Sequence, residues 1–532
     1  MSPTGPVPGG GVNPANVPEP GDWFGAVEGT DCSVAPALSR TRIRRLSTAQ
    51  WKNTVSRVLG TGVDAVELPQ DAISSATGFN TDSDLNKVNV LLANAYFDSG
   101  SNLAPAAATN AIAGYPCLAT AAADGACSGP FLRDMGSWLF RRPLTEEEVT
   151  RYAGLLAAQV ALDPPETAVA TVIRALLLSP NTIYMTELGG STPGDVALTP
   201  FEQASIISYT IADVPPDQPL LQAAASGALA SPAERAAQAQ RLMQTPGARA
   251  KYADFWEQYL PLGDLRKATD LDPTLAAAIA DETKQHFDKI VWQQNGTFRG
   301  LLTAPYTYGA QALSAVYGML TPGANGALTL PAGQRSGFLT QAGFLFSPDD
   351  ATAEYKVIHR GLAVRKRLLC QTPPAPPPNL MPVSSDLRPL GDGATPFESF
   401  TAFQQQKPSC AACHNTFQPI GLAFENYDNL GHFRATYEGG KAIVTSGELK
   451  DAGDASGPYA NAVEIAQHIG QSKIGEYCFS RQYAEYALGR HLNAAVDACV
   501  IRAASDIAAN PPIQQLAVVL SDLQARTHRF HN

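Results

Sequence analysis

Apolar residues recur every three or four positions along most of the chain, which is the spacing of one face of an α-helix. Residues 235–243 and 483–489 show this pattern clearly. Helix starts are marked by capping boxes, in which a Ser or Thr hydroxyl accepts from the amide three residues later and that residue's side chain reaches back. Such boxes begin at Ser47, Thr145, Thr199 and Ser231. The pattern therefore predicts a mainly α fold.

The clearest β signal is residues 442–449, which predict a strand or a small hairpin.

The prolines of residues 373–382 must run extended and cannot continue a helix, so they mark a boundary between modules. The predicted modules are a Pro/Gly-rich linker or anchor spacer (1–40), an N-terminal helical module (41–130), a helical body (131–320), a connecting segment with the polyproline run (321–389), a segment with a cysteine motif (390–455) and a C-terminal helical module (456–532).

Composition and charge narrow the class of protein. With 45% apolar and 16% charged residues, the chain of 532 residues is globular rather than disordered. The net charge of −11 disfavours nucleic acid and anionic lipid as partners. No run of 18 apolar residues is present, so we expect no transmembrane segment.

The cysteine motif reads Cys-Ala-Ala-Cys-His and runs from Cys410 through Cys413 to His414. Two thiols three positions apart can each form a thioether with a haem vinyl group, and the adjacent histidine then binds the iron as proximal ligand. The motif therefore predicts one covalently bound haem c.

Three other interpretations of the motif have less support. A thioredoxin-like dithiol should follow a strand and open a helix, whereas residues 398–408 predict a short helix and a turn. A structural zinc site needs a second pair of ligands nearby, and the next cysteine is the distant Cys478. A disulfide between Cys410 and Cys413 would be strained, because two residues rarely allow relaxed geometry.

Covalent haem attachment takes place outside the bacterial cytoplasm, so we expect the chain to be exported to the periplasm or the outer cell surface. Residues 1–25 lack a basic region and an apolar region of a signal peptide, which favours a mature or trimmed form. The Pro/Gly-rich opening would suit a spacer behind a removed signal or a lipid anchor. Export also permits disulfides, and we predict the pairs Cys117–Cys127, Cys478–Cys499 and Cys32–Cys370.

Residues after the motif predict the proximal side of the haem. Pro419 and the two residues after it can supply a backbone carbonyl to the outer nitrogen of His414, although an ordinary turn is an equal alternative. The apolar edge of the macrocycle would contact Phe417, Leu422, Phe424 and Tyr427. For the last two, plain helix packing is the alternative.

The sixth ligand of the iron decides the chemistry. A methionine gives a carrier of raised potential, a second histidine gives a lower potential, and an open position binds peroxide, oxygen or another small ligand. Candidates are Met381, the last methionine of the chain, and the imidazoles of His359 and His432. Arg360 and the basic residues 365–367 could instead neutralise the haem propionates.

Glu425 and Asp428 are candidate acid and base groups near an open haem face, with helix capping and pairing to arginine as the alternative. The chain has no Gly-x-Ser-x-Gly elbow, no phosphate loop and no His-Glu-x-x-His pair. Hydrolase, NTPase and zincin functions therefore have no support.

Several stretches carry a family resemblance: Arg42–Thr54, Leu139–Thr145, Gly337–Leu345, His359–Cys370, Cys410–His414, Gly421–Gly431 and Tyr486–Arg490. The chain resembles the large family of exported bacterial mono-haem c-type cytochrome-like proteins built from consecutive domains of unknown function, of the planctomycete and myxobacterium type. The resemblance implies a secreted or outer-surface protein whose Cys410, Cys413 and His414 match the family's haem motif. The chain departs from the pattern at His432, where we expect Arg, and at Gly309 and Ala310, where Val-Asn is more usual.

Three functions follow from these residues. The first is single-electron transfer to a redox partner protein, with the helical body as the docking surface. The second is a haem-dependent oxidase, peroxidase or oxygenase, in which the body forms a cavity for a small-molecule substrate. The third is a surface binding protein with a structural haem.

Overall fold

A computed structural model gives the structure of residues 19, 21–32, 39–60, 63–120, 125–190, 194–260, 271–346, 353–373, 390, 393–505, 512–526 and 529–531. Over these residues the fold is mainly α with small antiparallel sheets, which confirms the predicted fold class. Among them, no helix combines the length and the apolar composition that are needed to cross a membrane.

The helices follow one another through the whole chain. The first group is α1 (Trp23–Gly29), α2 (Thr48–Leu59), α3 (Val90–Gly114), α4 (Gly125–Phe140), α5 (Glu146–Val160), α6 (Pro165–Leu177) and α7 (Pro180–Ile183). The second is α8 (Pro200–Ala212), α9 (Gln218–Ala225), α10 (Pro232–Met243), α11 (Pro246–Tyr259), α12 (Pro273–Asp288), α13 (Phe298–Thr303), α14 (Ser314–Tyr317) and α15 (Ala342–Leu345). The third is α16 (Ala353–Ala363), α17 (Pro396–Gln406), α18 (Pro408–His414), α19 (Gln418–Leu422), α20 (Ala462–Gly470), α21 (Lys473–Leu488), α22 (Ala494–Ser505) and α23 (Ile513–Arg526).

The four helix starts that the capping boxes predict are all confirmed. Both reciprocal hydrogen bonds of the box form at Ser47, Thr145 and Thr199. Ser231 also precedes its helix, but its side chain makes no capping hydrogen bond. A further box at Thr395 begins α17, the helix that leads into the cysteine motif.

Short strands join distant parts of the chain: β1 (Ser39–Arg40), β2 (Arg42–Arg45), β3 (Tyr184–Glu187), β4 (Gly194–Val196), β5 (Tyr306–Tyr308), β6 (Thr321–Pro322), β7 (Ala327–Thr329), β8 (Gly447–Leu449), β9 (Gly457–Tyr459) and β10 (Arg529–His531). In the sheets β10 lies between β1 and β4, β2 pairs with β3, β7 lies between β5 and β6, and β8 pairs with β9. The β element predicted at 442–449 is therefore present but shorter. Ala442 forms an isolated β-bridge with Thr436, whereas β8 pairs with β9.

A chain of aromatic rings runs from the helical body into the segment of the cysteine motif. Trp256 and Phe287 stack with centroids 3.9 Å apart. Phe338 and Phe344 continue the contact to Phe424, with centroid separations of 5.5, 6.4 and 5.8 Å. Because these rings belong to the largest buried cluster, the motif segment packs on the body rather than forming a separate lobe.

Buried charges also join distant helices and strands. Glu187 of β3 is fully buried, pairs with Arg42 of β2 at 2.7 Å and accepts from Gln524 of α23 at 3.0 Å. Lys251 of α11 donates to Asp213, the residue after α8, at 2.9 Å. Since removing one partner of a buried pair leaves an uncompensated charge, these contacts fix the relative positions of the elements.

The disulfides correct two of the three predicted pairs. The pair Cys117–Cys127 is confirmed, but Cys32 bonds to Cys499 and Cys370 bonds to Cys478. The predicted pair Cys478–Cys499 is wrong because helix packing overrides closeness in sequence, and Cys32–Cys370, which was predicted from the two cysteines left over, is wrong in consequence. Helix α1, which ends just before Cys32, packs on α22, and the turn before Cys370 packs on α21.

Candidate functional site

The motif forms a short helix, α18, with Pro408 in its first turn. Cys410 and Cys413 are three residues apart, which places them on the same side of the helix. Both thiols are partly exposed and free, whereas the other cysteines are paired in disulfides. The local structure therefore offers two accessible thiols on one helical face.

His414 is held in one orientation by its neighbours. Its Nδ1 lies 2.9 Å from Oε1 of Gln418, the first residue of α19. Its ring contacts those of Phe403 and Phe417, with centroids at 4.9 and 5.0 Å. Burial lowers the pKa of His414, which favours the neutral imidazole. Because an amide oxygen only accepts, Nδ1 carries the hydrogen and Nε2 keeps its lone pair.

The partner of His414 is a side chain rather than a backbone carbonyl. Of the two alternatives for the turn that contains Pro419, a backbone carbonyl for His414 or an ordinary turn, the second is observed, and the side chain of Gln418 lies against Nδ1. The carbonyl of Pro419 instead accepts from the amide of Ala423 at 3.3 Å. Pro419 therefore shapes α19 rather than contacting the imidazole nitrogen.

An apolar wall lies beside the thiols. Phe400 and Phe403 of α17 cluster with Val357 and Leu422, and Cys410 packs against this cluster. Phe417 is also buried, at 4% exposure, next to His414. The structure thus brings the predicted residues Phe417 and Leu422 to the motif. By contrast Phe424 and Tyr427 join the core of the body, as the packing alternative predicts.

Helices α16 and α19 cross so closely that only glycine fits at the contact. A Cβ on Gly361 would lie 2.0 Å from the carbonyl oxygen of Phe417, and a Cβ on Gly421 would lie 1.8 Å from that of Val357. Arg365 adds a hydrogen bond of 2.6 Å from its Nε to the carbonyl of Thr416. These contacts fix the backbone immediately after His414.

Arg360 does not have the surroundings expected of a propionate ligand. It is 4% exposed, and its guanidinium donates to the backbone carbonyls of Leu345, Phe424, Tyr427 and Asp428. Burial lowers the pKa of Arg360 to about 10. Its observed role is to hold the turn after α19 against α16.

His359 lies on the far side of α16 from the motif. Val357 and Gly361 face α19, and His359 is two residues from Val357, roughly 200° around the helix axis. The ring of His359 instead packs on Tyr355, with centroids 3.8 Å apart. The structure therefore does not bring this imidazole to His414.

His432 is hydrogen-bonded to a neighbouring carboxylate. Its Nδ1 lies 2.8 Å from Oδ2 of Asp428. The loop of His432 contacts α16 through Lys356, whereas the residues after the motif contact Arg365. The third candidate, Met381, lies outside the described residues.

The two candidate acid and base groups are engaged in structural contacts. Glu425 is 1% exposed and accepts from Tyr437 at 2.9 Å and from Arg434 at 3.2 Å. Burial raises the pKa of Glu425, and nearby arginines oppose the effect. For Asp428, burial would raise the pKa, but hydrogen bonds from His432 lower it below its usual value. The pairing and capping alternative therefore describes both groups.

The donor set fits a covalent haem c. Two free thiols on one helical face, a neutral imidazole with Nε2 available and an adjacent apolar wall are the groups that this cofactor needs. Sequence reasoning missed Gln418, Phe403 and Gly361. The capping box at Thr395 was a usable signal for Phe403, because it begins the helix that carries this ring.

Four consecutive stretches of the chain match family models that are described as proteins of unknown function. They are PSD3 (DUF1587) at residues 44–109, PSD5 (DUF1595) at 127–187, PSD4 (DUF1592) at 198–319 and PSCyt3 (DUF1588) at 335–437. The PSCyt3 match contains the whole cysteine motif. Neither the curated proteins nor the solved structures gave a match to this chain. The order of the four domains is consistent with the planctomycete-type family that the sequence motifs resemble.

Proposed function

We propose that this chain is an extracytoplasmic c-type haem protein that transfers single electrons. Cys410 and Cys413 would bind the haem through thioethers, and Nε2 of His414 would be the proximal iron ligand. The observation that carries the proposal is the pair of free thiols beside a neutral, oriented imidazole, in a chain whose other cysteines are paired. The name PSCyt3, which hints at a cytochrome module, agrees with it.

When bound, the haem would supply a one-electron iron couple. The protein's own contribution is to orient the imidazole of His414 and to shield the haem from water. Gln418 accepts from Nδ1 of His414 and thereby fixes the tautomer, as second-sphere partners of metal-binding histidines commonly do. Phe403 and Phe417 restrict rotation of the imidazole. The apolar wall would exclude water from the cofactor.

The proposed location is the periplasm or the outer cell surface, and the partner is a redox protein or a small molecule. The three disulfides support an oxidising compartment, because such bonds are rare in the cytosol of mesophiles.

The test compares haem content in variants matured by a cytochrome c maturation system. Cys410→Ala with Cys413→Ala should abolish covalent haem, whereas the matched pair Cys117→Ser with Cys127→Ser should retain it. His414→Ala should retain covalent haem but lose the spectrum of the wild-type iron. Covalent haem in the Cys410/Cys413 variant, measured after denaturation, would contradict the proposal.

A second candidate is a haem-dependent oxidase, peroxidase or oxygenase. It is favoured by one observation: among the described residues, the imidazole of His359 packs on Tyr355 and that of His432 is hydrogen-bonded to Asp428. An exchangeable sixth position would make the ferric spectrum high-spin and sensitive to cyanide. A low-spin ferric spectrum that cyanide does not change would favour electron transfer instead.

A further inference from the structure

A groove of about 640 Å³ runs along α3, beside the turn that follows α2. Its volume is within the range of small-molecule binding sites. The part of α3 that lines it extends from Leu91 to Asn110, which is about 28 Å at 1.5 Å per residue. The groove thus suits an extended ligand rather than a compact one.

The lining combines apolar residues, including Leu59, Val66, Leu91 and Leu103, with polar side chains. Ala95, Ala106 and Ala107 form part of its floor. The polar lining residues are Glu67, Asn94, Asp98, Ser99, Asn102 and Asn110. As the structure describes it, the lining contains no lysine, arginine or histidine. An anionic ligand would therefore meet carboxylates without a compensating charge.

Three of the polar side chains are exposed to a ligand. Asn94, Asp98 and Asn102 are exposed and follow one another at intervals of four residues, so they lie along one side of α3. A carboxamide both donates and accepts, and a carboxylate accepts at two oxygens. This combination matches neighbouring hydroxyl groups, each of which also donates and accepts. The small alanine side chains of the lining leave room for a sugar ring.

We propose that the α3 groove binds a neutral, hydroxyl-rich chain, namely an oligosaccharide. The length of the groove, the alternating amide and carboxylate groups and the lack of positive charge in its lining carry this assignment. The site lies on α2 and α3, apart from the cysteine motif on α18, so it does not depend on the proposed haem.

Titration calorimetry of the full chain with cellohexaose, laminarihexaose and mannohexaose tests the proposal. We expect one of these sugars to bind with a Kd below about 1 mM. Ala106→Trp should fill the groove and weaken binding at least tenfold. Ala93→Trp places the same side chain at an exposed position of α3 that does not line the groove, and should change Kd less than twofold.

A second variant tests the groove without a bulky side chain that could disturb folding. Asn94→Ala with Asn102→Ala should weaken binding about tenfold without changing the thermal midpoint, because both side chains are exposed. Binding should also be unchanged between low and high salt, since the ligand is neutral. The proposal is overturned if no sugar binds below about 1 mM, if both tryptophan variants lose binding equally, or if only spermine binds and salt removes it.

Discussion

His414 shows how neighbouring side chains can fix the orientation of an imidazole. Its Nδ1 has a specific acceptor in Gln418, and its ring contacts two aromatic neighbours, Phe403 and Phe417. Gln418 is 3% exposed, so water cannot readily replace it as the acceptor. The orientation of the imidazole therefore depends on one buried amide.

Replacing Gln418 by Leu tests this dependence. The variant should keep covalent haem, because the thiols are unchanged, but the iron–imidazole bond should weaken by about 10- to 100-fold. The measurement is the concentration of added cyanide or imidazole that displaces the native ligand set. Gln404→Leu, on the exposed contact with Asn415, is the control and should behave as wild type. Equal displacement in both variants would show that Gln418 has no orienting role.

Glu282 is a second residue whose surroundings have a measurable consequence. It is fully buried and accepts from the hydroxyls of Thr307 at 2.7 Å and Tyr317 at 2.5 Å. Burial raises the pKa of Glu282 to about 7, despite these hydrogen bonds. The folded protein thus holds a proton that the unfolded chain releases near its ordinary value of about 4.5.

Stability should consequently depend on pH through Glu282. The contribution is fully present below pH 4.5 and is lost as the pH rises toward 7, by roughly 3 kcal/mol for a shift of this size. In Glu282→Gln the loss of stability that Glu282 causes between pH 4.5 and 7 should disappear, because the amide does not titrate. Denaturant unfolding between pH 4.5 and 8 provides the comparison. An identical slope in the variant would assign the pH dependence to other groups.

At the scale of elements, the crossing of α16 and α19 positions the site. Gly421→Ala should lower the free energy of unfolding by about 2–4 kcal/mol, because the added Cβ would overlap the carbonyl of Val357 and force the helices apart. Gly154→Ala is the matched control within α5, where no atom lies within 4 Å of the added carbon. This control should gain about 0.5–1 kcal/mol. If both substitutions have the same effect, the close approach is not a constraint.

Helices were predictable from the sequence and most strands were not, for a physical reason. The capping boxes at Ser47, Thr145 and Thr199 are complete within four residues, so local sequence determines them. Strand β2 is only four residues long and is stabilised by its antiparallel partner β3, about 140 residues later in the chain. Pairing at such distance leaves no local signal.

At the scale of the whole molecule, the disulfides close loops of very different lengths. The bonds Cys370–Cys478 and Cys117–Cys127 span 108 and 10 residues. Since loop-closure entropy grows with the logarithm of length, replacing the first pair by serines should cost about 2 kcal/mol more than replacing the second. Unfolding of the two double variants in denaturant measures the difference. A larger loss from Cys117/Cys127 would contradict the entropic argument.

The candidate site was predictable only where its residues are adjacent in sequence. Cys410, Cys413 and His414 follow from the motif alone, because one turn of helix brings them together. The positions of His359 and His432 depend on how α16 packs on α19, which no spacing in the sequence reports. The same holds for Cys32 and Cys499, which helix packing brings together across most of the chain.

The most direct test of the account is the intact mass of the exported, matured protein, with a pyridine haemochrome spectrum of the same sample. We predict the mass of the chain plus one haem, and the spectrum of a haem with two thioether bonds. A mass without haem, with the thiols of Cys410 and Cys413 still free to react with an alkylating reagent, would contradict it.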